Sequence, residues 1–346
     1  MKTKLQLISA IILLALTTFG ARSLAQDFSA EALARRTLER RAVEAAIWGM
    51  PIVAFDAMRQ AFLRDVGAKY NDIVYWSKQA DWKLQVTTPN ASSWYVYIAI
   101  NTQDGPVVLD LPPAVGAGLF GSMNDAWQIP QADVGPAGED QGKGGKYLML
   151  PPGYTEAVPA GYLPIRFNTY NGYSILRSIP ATTSDADVAK ALDLVRKTRV
   201  YALAQAANPP PQRHIDMAGK LFDGIARFGD SFYDSLARMV NDEPMQSRSI
   251  YRLMVKVVPV DGFWSISVYN AEGHFVKNAF DAYALHNITA KKHTDGSVAV
   301  QFGGCDGKIV NCLPTMPGWN YLVRLYRPRA EILNGTWTFP EAQPVP

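Results

Sequence analysis

The spacing of apolar residues changes period along the chain. Between Ser29 and Trp48, Leu33, Leu38, Val43 and Ile47 interleave with Arg35, Arg36, Glu39, Arg40, Arg41 and Glu44, which predicts an amphipathic helix with a charged outer face. Gly49 and Pro51 interrupt it, and a helical pattern resumes from Ile52 to Arg64 through Val53, Phe55, Met58, Phe62 and Leu63. Two helices meeting at Gly49-Met50-Pro51 are expected, because proline disfavours a helix interior. After Asn71 the pattern shortens into β-branched and aromatic runs, Ile73–Trp76, Trp94–Ile98 and Pro106–Leu111, separated by Pro, Gly, Asn and Asp. A Gly-rich loop from Gly135 to Gly145 precedes another strand, Lys146–Leu150, and the sheet continues from Leu163 to Arg177. Ser184, three residues before Asp187, resembles a capping box with Asp in place of Glu; it opens a third helix through Val188, Ala191, Leu192 and Val195.

Asn208-Pro-Pro-Pro-Gln212 reads as a linker, since consecutive prolines hold the chain extended. Ile215 to Val240 is helical in pattern. From Tyr251 the strand vocabulary returns in Tyr251–Val258, Phe263–Tyr269, Ser297–Phe302 and Tyr321–Arg327. In the last of these, Tyr321, Val323, Leu325 and Arg327 share one face, with Leu322, Arg324 and Tyr326 on the other. The expected class is α+β: two β-rich, sandwich or jelly-roll-like domains with helical additions, at residues 26–207 and 214–346, joined by the Pro-rich linker 208–213. No repeat at a solenoid period is present.

Composition and charge narrow the setting. The 346 residues are 48% apolar, enough for a large core. Lys2 and Lys4 precede an apolar stretch from Leu5 to Phe19, and Ser23-Leu24-Ala25 supplies small residues flanking a cleavage point, so residues 1–25 read as a secretory signal peptide. A membrane anchor would need about 20 mostly apolar residues, and no later stretch reaches that length without charges. The expected location is periplasmic or secreted, without stable membrane insertion after cleavage. Those 25 residues carry Lys2, Lys4 and Arg22 and no acid, which leaves 31 basic residues of the 34 against 31 acidic ones. A neutral mature chain has no electrostatic footprint for nucleic acid or an anionic membrane surface. Cys305 and Cys312, the only thiols, are expected to form a disulfide in an oxidising compartment; a redox pair or metal clip lacks C-x-x-C spacing.

Most catalytic motifs fail on spacing. Gly229-Asp230-Ser231 lies in a helical pattern where an esterase nucleophile would follow a strand, and no G-x-S-x-G exists. Gly138 to Lys146 lacks the Gly before, and the Ser or Thr after, a phosphate-loop lysine, and reads as a mobile loop. His214, His274, His286 and His293 contain no H-x-H or H-E-x-x-H, and Asp185 and Asp187 lack the rest of a calcium loop. No cofactor is specified and no metal site is assigned. What remains is a set of polar residues among aromatics, the composition of a cleft for a small organic or sugar-like molecule, in which rings supply area and polar groups fix orientation. The candidate ligand-binding residues are Asn90, Trp94, Tyr95, Asn124, Trp127, Trp264, Tyr269, Asn278 and Tyr283. Asp125 is the candidate general base or metal ligand, and Arg177 or Arg324 the anion clamp. Two readings follow: a hydrolase-like enzyme acting on a small molecule in the periplasm, or a non-catalytic ligand-binding or envelope structural protein. A homo-oligomer is left open.

Two blocks carry a family resemblance. Pro89-Asn-Ala-Ser-Ser-Trp-Tyr95, Asp104-Gly-Pro-Val-Val-Leu-Asp-Leu-Pro112 and Gly121-Ser-Met-Asn-Asp-Ala-Trp127 resemble exported bacterial proteins carrying domain of unknown function 1254. Asp261-Gly-Phe-Trp-Ser-Ile-Ser-Val-Tyr-Asn270, Asn278, Tyr283, Leu313-Pro314, Arg324-Leu-Tyr-Arg-Pro328 and Gly335-Thr-Trp337 resemble their usual partner, domain of unknown function 1214. The resemblance spans nearly the whole mature chain and implies a largely β fold with helical additions and envelope export, with no agreed activity. Ser92 stands where the family tends to have Asp, and Ala282 where an Arg usually precedes the Tyr of the second domain. If those charges serve a shared reaction, this member lacks it.

Overall fold

In the computed structural model, residues 28–86, 88–223 and 250–345 are described. The expected signal peptide, Gly229-Asp230-Ser231 and most of the helix expected over Ile215–Val240 lie outside them. Helix α1 (Ala30–Gln60) is capped by Ser29, whose Oγ accepts from the Ala32 N–H at 3.2 Å, and passes into a π-helical turn at Ala61–Asp65. It runs through Gly49 and Pro51, so the two-helix expectation is corrected to one. Proline removes only its own N–H from the ladder, at a cost of about 3 kcal/mol, and the flanking Ala45, Ala46, Ala54 and Ala57 are strong helix formers.

The chain divides into two compact units at Met50 and Pro51. In the described part of the first unit, Leu38 is 70% and Ile47 64% exposed. The amphipathic expectation fails there for a geometric reason: the five-residue steps Leu33, Leu38 and Val43 each rotate by about 140°, so these residues do not share a face. In the second unit Phe55, Met58 and Phe62 are three and four residues apart and do share one; Phe55 and Phe62 are buried.

The second unit is built largely from strands. They begin with β1 (Ile73–Tyr75), β2 (Leu84–Gln85), β3 (Trp94–Asn101), β4 (Val107–Leu111) and β5 (Ala117–Asp125). Next come β6 (Pro130–Val134), β7 (Gly145–Leu150), β8 (Tyr162–Arg166) and β9 (Asn171–Pro180), ahead of helix α2 (Asp185–Lys197). β10 (Arg199–Ala202), β11 (His214–Asp216) and β12 (Phe222–Asp223) follow. After residue 250 come β13 (Tyr251–Val255), β14 (Trp264–Tyr269), β15 (Ala284–His286), β16 (Val298–Phe302), β17 (Cys312–Leu313) and β18 (Asn320–Leu325), with the short helix α3 (Ala330–Leu333) before β19 (Gln343–Pro344).

A six-stranded sheet in the order β11-β1-β3-β9-β5-β6 packs on a four-stranded sheet β10-β4-β7-β8. Their shared core holds Val96, Ile98 and Ile100 of β3, Leu109 of β4, Tyr147 of β7 and Leu176 of β9. Helix α2 adds Leu192, Leu194 and Val195 to this core. Ser184 caps it as expected, its Oγ accepting from the Asp187 N–H at 3.3 Å. A second pair of sheets, β17-β16-β13-β19 and β15-β14-β18, closes on Leu253, Val255, Trp264, Ile266, Val300 and Phe302. The fold is thus α+β and mostly sheet, as the alternation of apolar residues indicates. Cys305 and Cys312 form a disulfide.

One expectation is corrected in the middle of the chain. Of the helix expected over Ile215–Val240, Ile215 and Asp216 belong instead to strand β11, parallel to β1, and Phe222–Asp223 is a strand parallel to β2. The Pro-rich segment is tied back to the sheets: Gln212 Oε1 accepts from the Val200 N–H at 2.7 Å, and Arg199 donates to the carbonyls of Pro209 and Pro210. Extended proline backbone delivers the chain to a sheet edge, where strand pairing competes successfully with helical propensity.

The Gly-rich loop is knitted around buried Asp140. Its carboxylate accepts from the N–H groups of Gly135 at 2.7 Å and Gly144 at 3.2 Å and from the Tyr147 hydroxyl at 3.0 Å. Gly144 has φ +72°, and a Cβ there would sit 2.5 Å from the Leu111 carbonyl oxygen. Replacing Asp140 by Ala leaves the N–H groups of Gly135 and Gly144 without their acceptor, whereas the Tyr147 hydroxyl keeps the Asp133 carbonyl at 2.9 Å, so Asp140→Ala is expected to lower stability by about 2 kcal/mol, read as a shift in the urea midpoint at unchanged slope.

His286 is 4% exposed and neither ring nitrogen has a hydrogen-bond partner among the described residues. The Phe263 ring lies edge-on at 6.2 Å and Ser265 is its cross-strand neighbour. Burial pushes the imidazole down to about 4, so the folded protein resists a proton that the unfolded chain accepts near pH 6.5. This contribution to stability is complete above pH 6.5 and is lost as the pH falls towards 4, by about 1.4 kcal/mol per pH unit and about 3 kcal/mol in total. Urea titrations between pH 7.5 and 4.5 should show that slope in the wild type, and a shallower one in His286→Leu.

Candidate functional site

Period-two alternation gives each sheet a second face. On β3, Trp94, Val96 and Ile98 enter the inner core, while Tyr95, Tyr97 and Ala99 point the other way. Arg177 lies opposite Tyr95 in the β3–β9 ladder. On β18, Tyr321, Val323 and Leu325 pack into the second sandwich, leaving Leu322 and Arg324 on its outer side. The outer faces of the two sandwiches meet, and between them lies a cavity of about 430 Å³. Its aromatic wall is Phe62, Trp76, Tyr95, Tyr97 and Phe222. Phe62 stacks on Tyr97 at 4.0 Å and on Phe222 at 4.6 Å, so the wall is a packed stack rather than separate rings.

Two guanidinium groups line this cavity, one from each sandwich, and among the described residues no carboxylate does. Arg177 lies over the Tyr95 ring at 5.4 Å. Its Nε is buried without a partner, and none of its donors makes a hydrogen bond or salt bridge among the described residues. Arg324 is partly committed: it donates to Ser267 Oγ at 3.2 Å and to the Thr88 carbonyl at 2.7 Å, and lies 6.0 Å from the centre of the Tyr269 ring. Burial raises the phenols of Tyr95 and Tyr269 above the usual tyrosine range, partly offset by the nearby guanidinium charges of Arg177 and Arg324 for Tyr95 and of Arg324 for Tyr269. Both tyrosines therefore stay neutral at physiological pH.

The rim is fastened by a short segment before β3. Tyr269 donates its hydroxyl to the Pro89 carbonyl at 2.6 Å, and the Thr88 N–H donates to the Gly273 carbonyl at 2.8 Å. Asn90 is fully buried: its amide donates to the Tyr326 hydroxyl, and its Oδ1 accepts from the N–H and hydroxyl of Ser92. The Asn90 N–H donates to the Tyr95 hydroxyl at 3.0 Å. Thr88 has φ +47°, a conformation a β-branched residue adopts only under constraint.

Of the sequence candidates, Tyr95, Arg177 and Arg324 come together at the cavity, with Asn90 and Tyr269 bracing its rim. Trp94 and Trp264 face the inner cores, the former donating its indole N–H to the Ser77 carbonyl at 3.3 Å. Asn124 is buried where the β5–β6 register shifts. Asp125 is fully buried at the end of β5, away from the cavity lining. One of its oxygens accepts from the N–H groups of Trp127 and Ile129, the other from the side-chain amide of Gln131 at 3.1 Å and that of Asn168 at 3.4 Å. A carboxylate so engaged closes the turn that carries Trp127. Asn278 ties its own turn through the backbone of Phe280 and Ala282. Tyr283, pushed up to about 12 by burial and its bond to Asp281, lines a second cavity of about 460 Å³. Phe62, Trp76, Tyr97, Phe222 and Leu322 are not on the sequence list; the parity of their strands is the signal that would have found Tyr97 and Leu322.

Among the described residues, no three His, Cys, Asp or Glu side chains group to hold a metal ion, and no helix is long and apolar enough to cross a membrane.

Comparison with known proteins places this geometry in context. The family described as "protein of unknown function (DUF1254)" matches residues 70–202, and that described as "protein of unknown function (DUF1214)" matches residues 231–330. The crystal structure of the VPA0106 protein from Vibrio parahaemolyticus is similar with a TM-score of 0.59 at 15% identity, over 87% of this chain and 98% of that one. An uncharacterized protein from Burkholderia cenocepacia is similar with a TM-score of 0.50 at 13% identity, over 85% and 87% of the two chains. At such identities the likeness is one of fold. No curated protein matches the chain. With its β-rich halves in that order along the sequence, the chain belongs to the family of proteins in which a DUF1254 domain is followed by a DUF1214 domain.

Proposed function

We propose that this chain is an exported, periplasmic or secreted, binding protein for a small organic anion with an apolar body, held in the cavity between Arg177 and Arg324. The observation that carries this reading is Arg177: a half-buried guanidinium, stacked on Tyr95, with no acceptor among the described residues for any of its donors. A carboxylate accepts from such a fork in a bidentate geometry, and charge-assisted hydrogen bonds out of bulk water contribute about 1.5–3 kcal/mol each. The aromatic wall matches an apolar body, and a volume near 430 Å³ suits a small ligand. Export rests on the amino-terminal pattern and fits the Cys305–Cys312 disulfide.

The binding reading is preferred to a hydrolase-like one because no described residue lining the cavity is a carboxylate, histidine or cysteine, and Asp125 is engaged elsewhere. A screen of phenylacetate, 3-phenylpropanoate and octanoate against their neutral alcohols, followed by thermal shift and calorimetry, tests it. The acids are expected to raise the melting temperature and the alcohols not. Arg177→Ala should weaken acid binding by about 10- to 100-fold, whereas Asp125→Asn should leave affinity within about twofold while lowering stability. Equal affinity in Arg177→Ala and wild type would remove the anion from the proposal.

A further inference from the structure

The second cavity adjoins the first. Trp76 and Leu84 line both, so they form a partition with the aromatic cavity on one side and the 460 Å³ cavity on the other. The chemistry changes across it. The first side is aromatic with two arginines; the second carries Lys78, Lys83 and Lys220 against Asp81 and Asp281. Three of these five charges are already engaged: Asp81 accepts from the Lys83 backbone N–H at 2.8 Å, Asp281 accepts from the Tyr283 hydroxyl at 3.1 Å, and Lys83 Nζ donates to the Gly219 carbonyl at 2.9 Å. Lys78 and Lys220 are left with no side-chain hydrogen bond or salt bridge among the described residues, although the charge of Lys220 also reaches Asp216 through space.

The partition is two side chains thick, and both are buried. Leu84 belongs to β2, whose ladder with β12 has two residue pairs, and the Trp76 ring meets Phe62 and Phe222 edge-on at 6.3 and 6.0 Å. Resting on the reading of the first cavity given above, we propose that the two cavities are compartments of one site for an elongated dianion. One anionic end sits at Arg177 and Arg324, the apolar middle crosses at Trp76 and Leu84, and the second anionic end sits at Lys78 and Lys220. A monoanion uses only the first compartment.

Calorimetry on the full chain with straight-chain α,ω-dicarboxylates of about six to twelve carbons, each paired with the monocarboxylate of equal length, tests this. At the matching length the dicarboxylate should bind about tenfold tighter than its partner, equivalent to about 1.4 kcal/mol. The Lys78→Ala/Lys220→Ala double variant, which removes exposed side chains, should erase that advantage and leave monocarboxylate affinity unchanged, whereas Arg177→Ala weakens both ligands. Monocarboxylate binding with no dicarboxylate advantage at any length, or an advantage that survives the lysine variant, overturns the two-compartment site and leaves the first cavity's reading intact. If neither ligand class binds, both fail.

Discussion

The junction between the two sandwiches depends on three consecutive residues, Thr88, Pro89 and Asn90, held from the C-terminal side by Arg324, Gly273, Tyr269 and Tyr326. These contacts satisfy main-chain groups at a place where the outer face of one sheet meets the outer face of another. The Pro89 carbonyl and the Asn90 side chain are buried, so the segment cannot lift away without breaking these hydrogen bonds together. The left-handed backbone of Thr88 is the strain this arrangement sustains. Phe62, Trp76, Tyr97 and Phe222 form a third core cluster with Tyr269, Phe275 and Tyr283, and the cavity lies against that cluster with Leu322 and the two arginines on its lining.

The two arginines that share the cavity differ in how far they are engaged. Arg324 is tied to Ser267 and Thr88 and so serves the junction as well as the cavity. Arg177 has only the face of the Tyr95 ring. A cation withdrawn from water without a counter-ion is held at a cost that neighbouring rings offset by about 0.5–2 kcal/mol. An anion bound as proposed would relieve that cost at Arg177 first, and at Arg324 it would compete with a main-chain carbonyl. Ligand binding and closure of the junction therefore draw on the same guanidinium, which links the affinity of the site to how tightly the sandwiches are joined.

Much of the fold is legible because a strand's period of two is a hard constraint: β18 alternates so regularly that both of its faces follow from residue type, whereas β14 is buried on both faces and residue type does not separate Trp264 from the cleft. Arg324 and Leu322 were placed opposite Tyr321 and Val323 on that basis alone. The cap of α2 was equally readable, since a hydroxyl three residues before an acid satisfies orphan donors in a stereotyped way. Less readable were features decided by partners far along the chain. His214–Asp216 becomes a strand because β1 offers it an edge, and Phe222 reaches the cavity wall because β12 pairs with β2. Asp125 was a reasonable base on residue type, yet what a buried carboxylate does depends on which donors surround it, and here they are the turn's own N–H groups and two amides. Trp94 shares its residue type with ligand-contacting aromatics but its parity with Val96 and Ile98 of the inner core, and alternation, applied consistently, separates it from Tyr95.

Ser92 and Ala282, the positions at which the resemblance leads one to expect a charge, lie outside the cavity lining and hold packed joints. At Ser92 the hydroxyl and N–H both serve Asn90 Oδ1, and the Asn90 amide is given to Tyr326. Both polar ends of that side chain are thus engaged, the oxygen within its own turn and the amide across to the other half. At Ala282 the main-chain N–H and carbonyl bond the side chain of Asn278, and the methyl packs against the second sandwich. An acid at the first position would replace the hydroxyl donor by a second acceptor facing Asn90 Oδ1, and an arginine at the second would bring a charge to an apolar contact. Each position thus holds a packed joint without a charge. Among the described residues, the charges that line the aromatic cavity are its two arginines, which under the proposed reading retain an anion rather than move protons.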